Sequence, residues 1–196
     1  MKNYLKPLVI LIATAIAVTS CKSASSKFYI LNSTVKVEQK SSANYSISID
    51  QVLIPMEVNR PQFTVKVGTN RVEIDEFNRW AEPLSSNIAS VIAHNLSILS
   101  GTQKVIAVPM AGFNPDYRVT VDIQNFESDP GQSSQITAIW IIRTPKGDSP
   151  IIGKTVAIES VADDSFNELA AAHSRALAKV SRDVAKAIQI EAAKTH

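Results

Sequence analysis

The chain is poor in the residues that chemistry usually requires. It has one cysteine, Cys21, and three histidines, His94, His173 and His196. A single thiol forms no internal disulfide, and once that thiol is committed elsewhere no cysteine nucleophile remains. His94 and His173 fall within helical patterns and read as helix-flank residues, while His196 is the terminal residue of the sequence. There is no Gly-x-Ser-x-Gly elbow, no His-Glu-x-x-His pair and no phosphate-binding glycine loop, so hydrolase, metalloprotease and nucleotide-binding readings lack their residues. Asp163-Asp164 is the only acidic pair worth testing as a metal site. It lacks the alternating oxygen ligands and glycine of a calcium loop, and its place before a helix start fits capping. No catalytic residue, metal or cofactor is expected, and a non-enzymatic protein is the reading.

Net charge is equally scarce. Lysine and arginine number 20 against 18 aspartates and glutamates, a formal +2, and two of the lysines, Lys2 and Lys6, lie in the first twenty residues. Without those two the balance is zero, which excludes a global basic field for nucleic acid or anionic lipid. A long apolar run is missing too. Leu8 to Val18 is far short of the roughly 20 residues that a permanent span requires.

What that run does fit is a signal peptide, with Lys2 and Lys6 as its positive start. Val18-Thr19-Ser20-Cys21 then matches a bacterial lipobox, in which the cysteine thiol receives a diacylglyceryl group before cleavage. This accounts for the lone thiol. Several acyl chains at about 0.8 kcal/mol per buried methylene make a firm anchor. Lys22 follows the cysteine, and without an aspartate there the outer membrane is the expected destination. The expected organisation is a leader at 1–20, the lipidated Cys21 with a short polar tether at 21–27, and one domain at 28–196. Removing the leader leaves 176 of the 196 residues, enough for an ample core.

After the apolar Phe28–Leu31 and a polar loop from Asn32 to Asn44, Tyr45, Ile47 and Ile49 alternate with Ser46, Ser48 and Asp50 as a half-buried strand. Pro55 to Pro61 reads as an exposed connection. Phe63, Val65 and Val67, a turn at Gly68-Thr69-Asn70, then Val72 and Ile74 predict a hairpin. Pro83 is expected at the first position of a helix, with Glu82 favouring its dipole and Trp80 folded over its entry. That helix carries Leu84, Ile88, Val91, Ile92, Leu96 and Leu99 and stops at Gly101. Lys104–Val108 predicts a short strand. Three strands in a meander follow, turning at Asp129-Pro130-Gly131 and Pro145–Asp148, with the Ile136–Ile142 strand expected to be covered on both faces. Ser165-x-x-Glu168 is a capping box opening an alanine-rich helix of about 28 residues at 1.5 Å each, whose end is expected to project beyond the sheet. The fold class is α+β, a mostly antiparallel sheet with two main helices on one face.

Arg60-Pro61-Gln62 followed by Arg79-Trp80-Ala81-Glu82-Pro83-Leu84 resembles the signature of the ABC-type transport auxiliary lipoproteins, the paraquat-inducible protein C (PqiC)-like family. Where that family leads into the Arg-Pro pair with a Tyr-Leu-Asp-Arg type run, this chain has Glu57-Val58-Asn59-Arg60. Of the motif residues Arg60, Pro61, Arg79, Trp80, Glu82 and Pro83, packing and capping account for Trp80, Glu82 and Pro83. Arg79 either pairs with Glu76 or Glu82 or anchors an interface. The resemblance implies a non-catalytic subunit of an envelope lipid-transport system maintaining membrane integrity. Its implied partners are an inner-membrane transporter and a periplasmic MCE-domain (mammalian cell entry) protein that bridges to the outer membrane. A long helix and zero charge add an expectation of homo-oligomers. A pilot or assembly lipoprotein for another outer-membrane complex, and a lipid-binding shuttle, are the alternatives.

Overall fold

The alternating and helical patterns become eight strands and two helices in the computed structural model, which describes residues 24–36, 43–144 and 149–194. The leader, Cys21, the Pro145–Asp148 turn and His196 lie outside the described residues. In chain order the elements are β1 (Lys27–Tyr29), β2 (Ile47–Leu53), β3 (Gln62–Gly68), β4 (Arg71–Trp80), α1 (Leu84–Ser100), β5 (Val105–Ile106), β6 (Tyr117–Asp129), β7 (Ser133–Arg143), β8 (Ile151–Ser160) and α2 (Phe166–Ala193). They build a five-stranded sheet ordered β5-β2-β6-β7-β8 and a three-stranded sheet ordered β1-β4-β3. Helices α1 and α2 pack on each other and on one face of the larger sheet, α1 over β2 and α2 over β7 and β8. The class is α+β, as the pattern predicts.

Alternation sets the core. Along β6 and β7 every second residue is buried, so Val119, Val121 and Ile123 meet Ile136, Ala138 and Ile142 beneath Leu169, Leu177 and Val184 of α2. Because both helices lie on the same side, the other face of the sheet has no comparable cover. Ile139 and Ile141 are therefore half-buried, not enclosed on both faces as expected, and Ile152, Val156 and Ile158 of β8 stand exposed. At β8 the covered face is cut small. A β-carbon on Gly153 would fall 2.1 Å from the Trp140 ring, so glycine is what lets that indole lie flat across the strand.

Antiparallel pairing joins β3 to β4 and runs through β6, β7 and β8, as the turns foretell. The remaining pairs are parallel: β1 with β4, and β2 with both β5 and β6. Lying between two strands, β2 is not half-buried at its start. Ser46 and Ser48 are covered, their hydroxyls donating to Asp116 Oδ2 at 2.7 Å and Asp50 Oδ1 at 2.8 Å. Burial alone would raise the Asp116 carboxyl, but the hydroxyl and backbone N–H of Ser46 outweigh it and hold the group below its usual value. β5 is shorter than expected, two residues against five.

Helix ends depart from expectation in detail. Pro83 is the N-cap, with ψ 124° outside helical range, and Leu84 is the first helical residue; no side chain caps the turn and Glu82 is exposed. Gly101 supplies the left-handed stop at φ 65°. At α2 the Ser165 hydroxyl accepts from the Glu168 N–H at 3.2 Å, but the returning arm belongs to Asp163, whose Oδ1 accepts from the Ser165 N–H at 2.9 Å. Those bonds hold the Asp163 carboxyl below its ordinary value. Buried positions on α2 run from Leu169 to Ile188, and Ala192 in its last turn still packs against the core, so the helix does not project beyond it, contrary to expectation.

Candidate functional site

Two features converge at the base of the β3–β4 hairpin: the segment leading from the N-terminus and the Arg-Pro…Arg-Trp-Ala-Glu-Pro motif. The halves of the motif meet directly, because the Trp80 N–H donates to the Pro61 carbonyl at 2.7 Å. Trp80 is buried, stacked on Phe63 with ring centres 4.1 Å apart and edge-on to Phe126 at 6.1 Å. It folds into the seam between the two sheets, where Phe166 at the start of α2 also meets Phe63. Arg60 is half-buried, while Pro61, Glu82 and Pro83 are exposed. Arg79 turns to Glu76, its Nε donating to the backbone carbonyl at 2.8 Å and its terminal nitrogen lying 3.5 Å from the carboxylate. This is the local pairing anticipated with Glu76. Its side chain is about a third exposed, which makes the pair a weak contributor to stability.

A wide bulge shapes this base. The register jumps from Gln62↔Arg79 to Phe63↔Asp75, leaving Glu76, Phe77 and Asn78 without partners on β3, although Asn78 still pairs with Lys27 of β1. Asp75 closes the loop by accepting from the N–H groups of Phe77 and Asn78 at 2.8 and 2.7 Å. Burial works to raise its carboxyl, and these bonds bring it net below its usual value.

β1 adds on to β4 at this base, Phe28 facing Arg79 and Tyr29 facing Trp80, and the Ala81 N–H donates to the Tyr29 carbonyl at 2.9 Å. Beyond it the chain is clamped between the helices. Asn87 of α1 accepts from the Leu31 N–H at 2.7 Å and donates to the Leu31 carbonyl at 3.4 Å. Ser174 of α2 accepts from the Asn32 N–H at 3.1 Å. Asn32 and Thr34, expected as part of a polar loop, are thus held against α2, the Thr34 hydroxyl donating to the Ser174 carbonyl at 3.4 Å. A cleft of about 280 Å³ lies beside this segment, lined in part by Phe28, Ile30, Thr34, Ala170 and Ser174.

Neither helical histidine offers a working site. His94 is exposed on α1. His173 is fully buried, stacked on Phe126 at 3.8 Å with Nε2 2.8 Å from the Ser128 hydroxyl, and burial pushes its pKa down to about 3. It is a neutral packing residue sealed from substrate. The polar clamps Asn87 and Ser174, and the buried Asn95–Ser181 bond between the helices at 3.0 Å, had escaped sequence reasoning. Asn87 and Asn95 lie one and two turns along α1 from Leu84 and Ile88, at a spacing that does belong to the buried stripe.

The family model described as "ABC-type transport auxiliary lipoprotein component" matches residues 29–185. The chain belongs to that family. Among similar solved structures, protein XCC0632 from Xanthomonas campestris, of family-model DUF330, is 16% identical, with 87% of this chain and 98% of that one covered and a TM-score of 0.70. An uncharacterized protein in another crystal structure is 17% identical over 84% and 99% of the two chains, with a TM-score of 0.69. At these identities the likeness is one of fold. No curated protein matches the sequence. Membership in the family makes the chain an auxiliary lipoprotein component of ABC-type transport. Among the described residues no helix is long and apolar enough to cross a membrane.

Proposed function

We propose that this auxiliary lipoprotein is the outer-membrane end of an MCE/ABC-type lipid-transport system, a non-catalytic subunit that docks the periplasmic bridging protein. The observation that carries the reading is the family match over residues 29–185 directly behind a lipobox ending at Cys21. Cys21 carries the lipid and no other cofactor takes part. Because β1 and the clamped Leu31–Asn32 begin within ten residues of Cys21, the folded body is held close to the bilayer. The rim of the hairpin base, the exposed Pro61, Glu82 and Pro83 with the half-buried Arg60 and Arg79, receives the partner, while Trp80 keeps that rim in place from inside. Self-association of such anchored copies would arrange several rims around one lipid passage.

A lipid-binding shuttle is the weaker reading. The cleft beside Phe28 falls at the lower edge of the roughly 300–1,000 Å³ typical of sites for small ligands, so it offers no enclosure for a two-chain lipid. A pilot lipoprotein would share the anchor and differ in its partner. The anchoring step is tested by density-gradient separation of envelope membranes from cells producing the full chain. Unsubstituted protein is expected with the outer-membrane marker and Cys21→Ala in the periplasmic or inner-membrane fractions. Equal distribution of both would refute lipid anchoring at Cys21.

A further inference from the structure

The β3–β4 hairpin continues past its base as a two-stranded arm, and its outer half is more apolar than solvent exposure alone would favour. Val72 is 55% exposed, Ile74 39% and Val67 36%, flanking the Gly68–Arg71 turn. Of the charged side chains of the outer half, Arg71 and Glu73 cancel and the third is Lys66, so the arm has no negative excess that would repel head groups. Lys66 is already engaged with Glu127 at 2.7 Å.

Chain geometry says what covers this surface. β1 runs parallel to β4, so the polypeptide reaches Lys27 from the side on which the hairpin turn lies. Six residue steps separate Cys21 from Lys27, at most about 20 Å of extended chain. Seven steps of β4 separate Asn78, the partner of Lys27, from Arg71 at the turn, a slightly longer reach of about 23 Å at the usual strand rise. An anchor at Cys21 therefore cannot hold the bilayer beyond the level that the hairpin turn attains. We propose that Val67, Val72 and Ile74 of the outer hairpin form a membrane-contact surface that rests on the bilayer holding Cys21.

The acyl chains supply the affinity, and the hairpin supplies orientation. Valine and isoleucine enter the head-group boundary at the tip. Fixed in this way, the hairpin base and its Arg60–Pro83 rim face away from the lipid. The inference rests on the proposed lipidation of Cys21, and its test separates the two.

Full chains carrying Val72→Trp or Ile158→Trp are purified in detergent and reconstituted into vesicles of phosphatidylethanolamine and phosphatidylglycerol, three to one, with or without brominated acyl chains. Both positions are exposed, so both variants are expected to fold, which thermal unfolding checks. The unsubstituted protein, with Trp80 and Trp140 buried, gives the baseline. Bromine is expected to remove a large share of the emission added by Val72→Trp and to leave that added by Ile158→Trp unchanged. Equal emission from Val72→Trp with and without bromine would overturn the proposal. A blue-shifted but unquenched Val72→Trp would also overturn it, by assigning the hairpin to a protein contact. Mass measurement of the N-terminal peptide reports lipidation independently. Should Cys21 prove unmodified, the anchoring reading fails, and coupling its thiol to a maleimide lipid still places the hairpin at the bilayer for the same readout.

Discussion

His173 shows a titratable side chain kept for packing. Held neutral between Phe126 and Ser128, it has a folded pKa near 3 against an ordinary 6.5. Below pH 6.5 the unfolded chain takes up a proton that the folded chain refuses, so the stability tied to the neutral ring is intact above 6.5. It falls as pH drops toward 3, by up to about 1.4 kcal/mol per pH unit. His173→Gln is expected to remove that share of the acid dependence. Urea unfolding at pH 7, 6 and 5 should show a shallower loss in the variant, and identical slopes would contradict this account of His173. The sequence did hold a clue. His173 is four residues from both Leu169 and Leu177, in register with the apolar stripe, although residue type alone favoured a flank position.

Elements formed by neighbours in the chain were legible: the hairpin, the β6–β8 meander and both helices each carry their own periodicity and turns. The parallel pairs were not, because Lys27 finds Asn78 and Ile47 finds Tyr117 across 51 and 70 residues, and no local pattern encodes such partners. For the same reason the clamp on the N-terminal segment was missed, although it fixes where the tether leaves the fold. Asn87→Ala would leave the Leu31 N–H buried and unpaired, at a cost of about 1–3 kcal/mol. Hydrogen exchange at Leu31 is expected to accelerate well beyond exchange in the β6–β7 core. Unchanged protection of Leu31 would mean that β1 pairing and Ser174 hold the segment without α1.

For the whole molecule, the legible part of the site was the motif, since Arg60-Pro61 and Arg79–Leu84 do come together at one hairpin base. The lipobox reading at Val18–Cys21 rests on sequence alone, since those residues lie outside the described ones. Sequence could not supply the direction in which the hairpin points from the tether, which follows from the parallel entry of β1. The central claim is that this auxiliary lipoprotein links the outer membrane to a bridging protein of the MCE class. In-cell crosslinking of a C-terminally tagged full chain, with captured proteins identified by mass spectrometry in unsubstituted and Cys21→Ala cells, tests it most directly. Capture of an MCE-domain protein, reduced in Cys21→Ala, is the expected result. Capture of only an outer-membrane barrel or secretin would contradict the claim and make the chain a pilot lipoprotein built on the same fold.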